Sequence, residues 1–141
     1  MNYLLDTCLL SELRKPEPDA GVVAWTSDID ESRLFVSILS LGEIQKGIAR
    51  LENGQRKNAF QHWLEQELLS RFEGRIVPFD LDMALEWGLL SAACENDGRP
   101  APVVDSLLAV TAIVRNLTLV TRNDKDFSGL PVKILNPWNR G

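Results

Sequence analysis

Three carboxylates of this 141-residue chain stand where a charge is costly. Asp6 ends the apolar run Tyr3-Leu4-Leu5, Glu43 is the only charge between Leu34 and Gln45, and Asp105 is the only charge between Val103 and Val114. An ionised carboxylate in such surroundings must be paired with something, yet no lysine or arginine lies beside any of the three in sequence. A bound cation is one partner that would stabilise all three together. The chain has one histidine, His62, so a site built on two histidines is excluded, and its two cysteines, Cys8 and Cys94, form no CxxC or related spacing and read as reduced, small hydrophobic residues. Oxygen ligands alone select hard cations, Mg²⁺ or Mn²⁺. A site of that kind suits phosphodiester hydrolysis, because the metal lowers the pKa of a water and stabilises the charge of the transition state.

Taken singly, each acid also has a purely structural reading. Asp6 could cap a helix beginning at Leu9, and Asp105 could cap one after Pro102. Glu43 could be a first-turn acid favoured by the helix dipole, and Asp124 and Asp126 could be ordinary loop acids.

The elements that must position these groups follow from pattern. Tyr3-Leu4-Leu5 and Leu34–Ser37 read as short buried strands, Arg75–Phe79 as a third, Leu117–Thr121 as a fourth and Val132–Leu135 as a fifth. Between them come helices: Leu9–Arg14, stopped by Pro16 and Pro18; a second one capped by Asp19; one opened by Ser40 with Leu41, Ile44, Ile48 and Leu51 at helical spacing; an amphipathic segment from Gln55 to Phe72; Leu81–Glu95; and Val103–Arg115, apolar almost all round. Asn136-Pro137-Trp138 reads as a terminal plug. Strands alternating with helices predict one α/β domain over residues 1–141, with a mainly parallel five-stranded sheet sandwiched by helices. In open parallel sheets, ligands bind beyond the carboxyl ends of the strands. Asp6 follows the first strand, Glu43 sits early in the helix after the second, Asp105 early in the helix feeding the fourth, and Asn123 and Asp124 just after the fourth, so all of them can face one sheet edge.

Composition bounds the partners. The formal net charge is −5 and the pI about 4.9, which counts against general nucleic-acid binding through a basic face. It does not exclude a nuclease, since a divalent cation makes a carboxylate cluster electrophilic. No apolar run reaches the length of a membrane span. The start, Met1 to Asp6, has no basic stretch and meets an acid too early for a signal peptide, so a cytoplasmic address is expected.

Four segments in order, Leu4-Leu5-Asp6-Thr7, Ser40 to Ile48, Val104 to Ala109, and Thr121-Arg122-Asn123 with Asp126-Phe127, together with the ending Leu135-Asn136-Pro137-Trp138, resemble the motifs of PIN domains, and most of all those of the VapC toxins and FitB-like proteins. The resemblance implies a PIN fold and a Mg²⁺- or Mn²⁺-dependent endoribonuclease, the toxin of a type II toxin–antitoxin pair. It places Asp6, Glu43 and Asp105 on the family's acidic positions and the fourth on Asn123, where related sequences carry Asp or Asn; Asp124 is the adjacent acid that substitutes for it or binds through water. Thr7 matches a small hydroxyl residue that helps hold the site, and Cys8 stands where the family commonly has Asn. The implied partners are RNA, a small antitoxin whose tail covers the site and through which alone DNA is bound, and a second copy of the chain, with higher hetero-oligomers formed alongside the antitoxin.

Lys46, Arg50 and Arg122 are the candidate RNA contacts, His62 and the helix around Trp63 belong to core or interface, and apolar positions on the Gln55–Phe72 helix are expected to carry a homodimer. The alternative is a catalytically degenerate PIN-fold binding module that acts in a complex with a small DNA-binding partner. A haloacid-dehalogenase-type phosphotransferase would need an acid two positions after Asp6, where Cys8 stands. A response-regulator receiver would need a lysine after the fifth strand, whereas Lys133 lies within it.

Overall fold

The near-continuous apolar strands are explained by a sheet covered on both faces. The computed structural model describes residues 1–140 and contains five strands, β1 (Asn2–Leu5), β2 (Leu34–Ser37), β3 (Ile76–Val77), β4 (Leu117–Val120) and β5 (Ile134–Leu135), in the order β3-β2-β1-β4-β5. Every pairing is parallel, with Leu5 opposite Val36 on one side and Val120 on the other. Alternate residues point to opposite faces. Tyr3, Leu5, Val36 and Val120 join one core with Leu9, Leu10, Val22 and Trp25, while Leu4 and Leu119 join a second with Met83, Leu108 and Ala112.

The first core is covered by α1 (Thr7–Arg14), α2 (Ala20–Asp28), α3 (Ile38–Ala49), α4 (Gln55–His62) and α5 (Leu69–Arg71), with a π-helical stretch, Trp63–Leu68, joining the last two. The second is covered by α6 (Leu81–Asn96) and α7 (Val103–Val114). Asp19 caps α2 by accepting from the N–H groups of Gly21 and Val22, at 2.9 and 3.2 Å. Such a cap is worth about 1 kcal/mol. Asn116, with φ 54°, ends α7 in the left-handed region and turns the chain into β4.

Several expected boundaries move, each for a local reason. α1 begins at Thr7, not Leu9, because the Asp6 carboxylate caps it, 2.7 Å from the Thr7 N–H. α3 begins at Ile38, not Ser40. Ser37, the last residue of β2, caps it by accepting from the Leu39 N–H at 3.0 Å, so strand passes directly into helix. Glu43 therefore sits in the second turn, and the first-turn dipole reading of it lapses. β3 and β5 are two residues each, shorter than read; Pro78, without an N–H, closes β3.

The Gln55–Phe72 segment is helical throughout but not uniform, and its apolar side is not a free surface. Leu64, Leu68 and Phe72 are buried, and Phe60 and Trp63 pack half-buried against the core. The exposed apolar stripe lies instead on α6, where Leu81, Leu85 and Leu89 are 72%, 62% and 68% exposed. The terminal plug is as read: Pro137 is buried and Trp138 packs on the first core, its N–H bonded to the Asn136 side chain at 3.0 Å. Among the described residues no helix is long and apolar enough to cross a membrane.

Candidate active site

Asp6 leaves the central strand at its carboxyl end, its N–H still bonded to the Val120 carbonyl at 3.0 Å. The side chain is 9% exposed and both oxygens are engaged. Oδ1 caps α1. Oδ2 accepts from the Thr121 hydroxyl at 2.8 Å, and the Cys8 thiol lies 3.7 Å away. Thr121 follows the neighbouring strand β4, is fully buried, and accepts in turn from the Asn123 N–H at 3.1 Å. Cys8 also sits 3.6 Å from the Thr121 hydroxyl and accepts from the Arg122 N–H at 3.5 Å, so the thiol takes up the role of linking α1 to the loop after β4. The two end-of-strand loops are thus tied together through Asp6. Burial and the Asp6 charge push the Cys8 thiol pKa up, which keeps it a neutral donor. Both cysteines are free thiols.

Glu43 reaches the same edge from α3. The Thr7 hydroxyl donates to its Oε1 at 3.1 Å, so Thr7 connects the first two acids, as a hydroxyl at that position should. Partial burial raises the Glu43 pKa; the Thr7 bond opposes this, Asp6 adds to it, and the Lys46 charge again opposes it. Asp105 lies inside the first turn of α7, whose N-cap is Pro102, so it is not the capping residue. Its carboxyl is raised first by burial and then by the charges of Asp126, Asp6 and Glu43. No hydrogen bond to its side chain is found among the described residues. The fold has therefore brought Asp6, Glu43 and Asp105, 99 residues apart along the chain at their extremes, within each other's electrostatic reach.

The loop after β4 distributes its acids differently from expectation. A 3₁₀ turn, Asp124–Phe127, follows Asn123. Asp124 turns towards Asn136, whose amide donates to it at 3.5 Å, and its charge is not among those acting on Asp105. Asp126 is the strongest neighbouring charge on Asp105. The sequence offers Asp124 and Asp126 alike as loop acids and has Asp126-Phe127 within a PIN-like motif, but the expected site includes only Asp124 of the two. Asn123 contributes its backbone N–H to Thr121, and its exposed side chain forms no hydrogen bond among the described residues.

Of the candidate basic contacts, Lys46 acts on Glu43, Arg50 ends α3 as its C-cap, and Arg122 lies 5.8 Å over the Trp138 ring. His62 is exposed at the end of α4.

The donor set fits a hard divalent cation in its chemistry. It is oxygen only, and the ion pairs found among the described residues, Glu12 with Lys15 and Glu31 with Arg71 and Arg75, all lie elsewhere. The acids form no ion pair among the described residues, Lys46 acting on Glu43 only at a distance, and a cation would relieve the upward shifts of Glu43 and Asp105 together. Among the described residues no three carboxylate, histidine or cysteine side chains converge closely enough to hold an ion as they stand. Like charges without a counterion repel, and both Asp6 oxygens are turned to protein donors.

The chain matches the family model described as PIN domain over residues 3–133. It is 35% identical over 136 residues to Toxin FitB of Neisseria gonorrhoeae, covering 96% of this chain and 98% of that protein. It is likewise 35% identical over 135 residues to VapC ribonuclease Y4jK of Sinorhizobium fredii, covering 96% of each. A solved structure of FitAB bound to an IR36 DNA fragment superposes with a TM-score of 0.88 at 33% identity, covering 96% of this chain and 95% of that one.

Proposed function

The chain belongs to the PIN-domain family, and from that premise we propose that it is an endoribonuclease, the toxin of a toxin–antitoxin pair, using a divalent metal held by Asp6, Glu43 and Asp105. Near-full-length similarity to proteins named as a toxin and as a ribonuclease supports the activity and the system. The observation that carries the assignment of the site is three mutually repelling carboxylates, without ion-pair partners among the described residues, at the carboxyl edge of a parallel sheet.

When bound, Mg²⁺ or Mn²⁺ supplies an acidified water and charge stabilisation at the scissile phosphate. The chain's own residues supply the rest. Thr121 and the α1 N–H hold the Asp6 carboxylate in one orientation, and Thr7 holds Glu43. Burial and neighbouring acids raise the Asp105 and Glu43 carboxyl pKa values, and a bound cation would oppose that shift. Asp126 is the side chain best placed to complete the set beside Asp105; Asn123 offers a neutral oxygen, and Asp124 acts only by leaving Asn136. Lys46 and Arg50 lie one turn apart on α3 for RNA phosphates, with Arg122 beyond the acids.

The protein partner is an antitoxin whose tail covers the acids and places a basic side chain among them, and DNA is reached through that partner; a related complex, FitAB, is solved bound to DNA. A second copy of this chain covers the α6 stripe Leu81, Leu85 and Leu89, where each leucine buried contributes about 1.5–3 kcal/mol. We place the pair in the cytoplasm, with its RNA.

The degenerate binding module is the second reading, kept because Asn123 puts a neutral oxygen at the family's fourth acidic position. Partner-free protein incubated with RNA and Mg²⁺ or Mn²⁺ separates the two. Cleavage abolished by EDTA and by Asp105→Asn supports the nuclease; absent cleavage supports the module, and cleavage that persists in EDTA refutes the metal site.

A further inference from the structure

Beside the acids a cleft of about 220 Å³ opens between α3 and α4, lined among others by Thr7, Glu43, Gly47, Arg56, Phe60 and Trp63. Three properties distinguish it from a generic surface groove. First, it is continuous with the candidate site, since Thr7 and Glu43 are wall residues of both. Second, its wall is aromatic, with Arg56 in the lining 5.7 Å from the Phe60 ring centre. Arg14, which lines the neighbouring cavity beside Glu67, lies 3.6 Å from the Phe60 ring centre and 5.6 Å from that of Trp63. Arg14 has no ion-pair partner among the described residues, and its Nε is buried without a hydrogen bond. Glu43 and Arg56 are the charged residues of the lining, which is otherwise mainly apolar, so the cleft is formally neutral in a chain of net −5. Third, α4 passes into the π-helical stretch at Trp63, and the Trp63 N–H is shared between the carbonyls of Ala59 and Phe60. Turns of that kind recur at functional sites.

Size narrows the occupant. Sites for drug-sized molecules run to about 300–1,000 Å³. At about 220 Å³ the cleft has room for one ring system. Single-stranded RNA is read by unstacked bases laid on aromatic rings and guanidinium planes.

We propose that this cleft is the subsite for one unpaired nucleobase of the RNA, next to the bond cleaved at the acids, with Phe60 and Trp63 as the stacking surface and Arg56 on the adjoining phosphate. The inference rests on the ribonuclease reading above. It makes the α3–α4 cleft a determinant of which nucleotide flanks the cut.

Two measurements test it. In EDTA, where no turnover is expected, short single-stranded oligoribonucleotides are titrated into the partner-free full chain and tryptophan emission is followed. Saturable quenching that disappears in Trp63→Phe supports the subsite; binding without any Trp63-dependent change overturns it. With Mg²⁺, a cleaved oligoribonucleotide is compared with versions made abasic at each position flanking the cut. Stacking of one base is worth roughly a 5- to 100-fold change in binding. Phe60→Ala and Arg56→Ala should raise KM by about tenfold on the intact substrate, with little further loss on the substrate abasic at the bound position. Equal losses on intact and abasic substrates would overturn the proposal. So would unchanged cleavage by both variants accompanied by loss of the protein partner, which would give the cleft to that partner. Trp63-dependent quenching by a wild-type protein that cuts no RNA would instead refute the nuclease reading while leaving the base site standing.

Discussion

Replacing Thr121 by valine removes one hydroxyl and keeps the shape. Thr121 is fully buried, and its hydroxyl donates to Asp6 Oδ2 at 2.8 Å, where the Cys8 thiol at 3.7 Å is the weaker second donor, and accepts from the Asn123 N–H at 3.1 Å. A hydrogen bond to a charged group is worth about 1.5–3 kcal/mol, and a neutral one about 0.5–1.5. Asn123 is exposed, so its N–H recovers a water. The buried methyl of valine offsets a further part. The net loss should be about 2–3 kcal/mol. With an unfolding entropy of about 2.1 cal/mol/K per residue, that lowers Tm by roughly 6–12 °C. Thermal unfolding of the partner-free protein in EDTA measures it, and Thr121→Ser, which keeps the hydroxyl and loses a methyl, is the comparison. The hydrogen-bond account orders the three as threonine, serine, valine, and kcat for RNA should fall about 10–100-fold in the valine variant as Asp6 loses its orientation. If valine equals wild type in Tm and cleavage while serine is destabilised, the position is one of packing, and the link from Thr121 to Asp6 carries nothing.

Three further outcomes follow from the same geometry. Asp105→Asn should raise the stability of the metal-free protein. The folded-state pKa of Asp105 lies above its ordinary value, so the stability linked to it is fully present below the unfolded pKa of about 3.9 and is lost as pH rises through the folded pKa. The advantage of the asparagine variant in EDTA should therefore grow from pH 4 upward and then level off, and Mg²⁺ should raise Tm more in wild type than in the variant; a pH-independent difference would contradict this. Asp6→Asn keeps an equally good helix cap but loses the charged acceptor of the Thr121 hydroxyl, so it should cost about 1.5–3 kcal/mol of stability while abolishing metal-dependent cleavage, whereas Asp6→Ala should lose the cap as well. Leu85→Glu places a charge in the middle of the exposed α6 stripe, and light scattering should report a monomer with an unchanged circular dichroism spectrum; a dimer retained by this variant would move the self-association face elsewhere.

What could be read from residue order, and what could not, divides along physical lines. The three acids were legible because each is the sole charge in an apolar stretch, a signal that needs no tertiary information. The strands were legible for the same reason: a sheet buried on both faces writes itself as apolar runs such as Tyr3-Leu4-Leu5 and Leu117–Val120. The entry to α3 was not, because two serines three apart both satisfy the capping rule, and only the end of β2 selects Ser37. The choice between Asp124 and Asp126 depended on the direction each takes from one tight 3₁₀ turn, which spacing alone does not fix. The α6 stripe was hidden by its own regularity. Leu81, Leu85 and Leu89 have helical spacing, but so do Met83, Trp87 and Leu90, and it is the second set that packs on the sheet. The family resemblance supplied the function class that periodicity could not.

The most direct test of the central claim is to incubate partner-free protein with total RNA in Mg²⁺ or Mn²⁺, beside an EDTA control and the Asp6→Asn variant. The account predicts discrete cleavage products that vanish in both controls. Cleavage that persists in Asp6→Asn or in EDTA would contradict it, as would no cleavage and no calorimetric metal binding by a folded, partner-free chain.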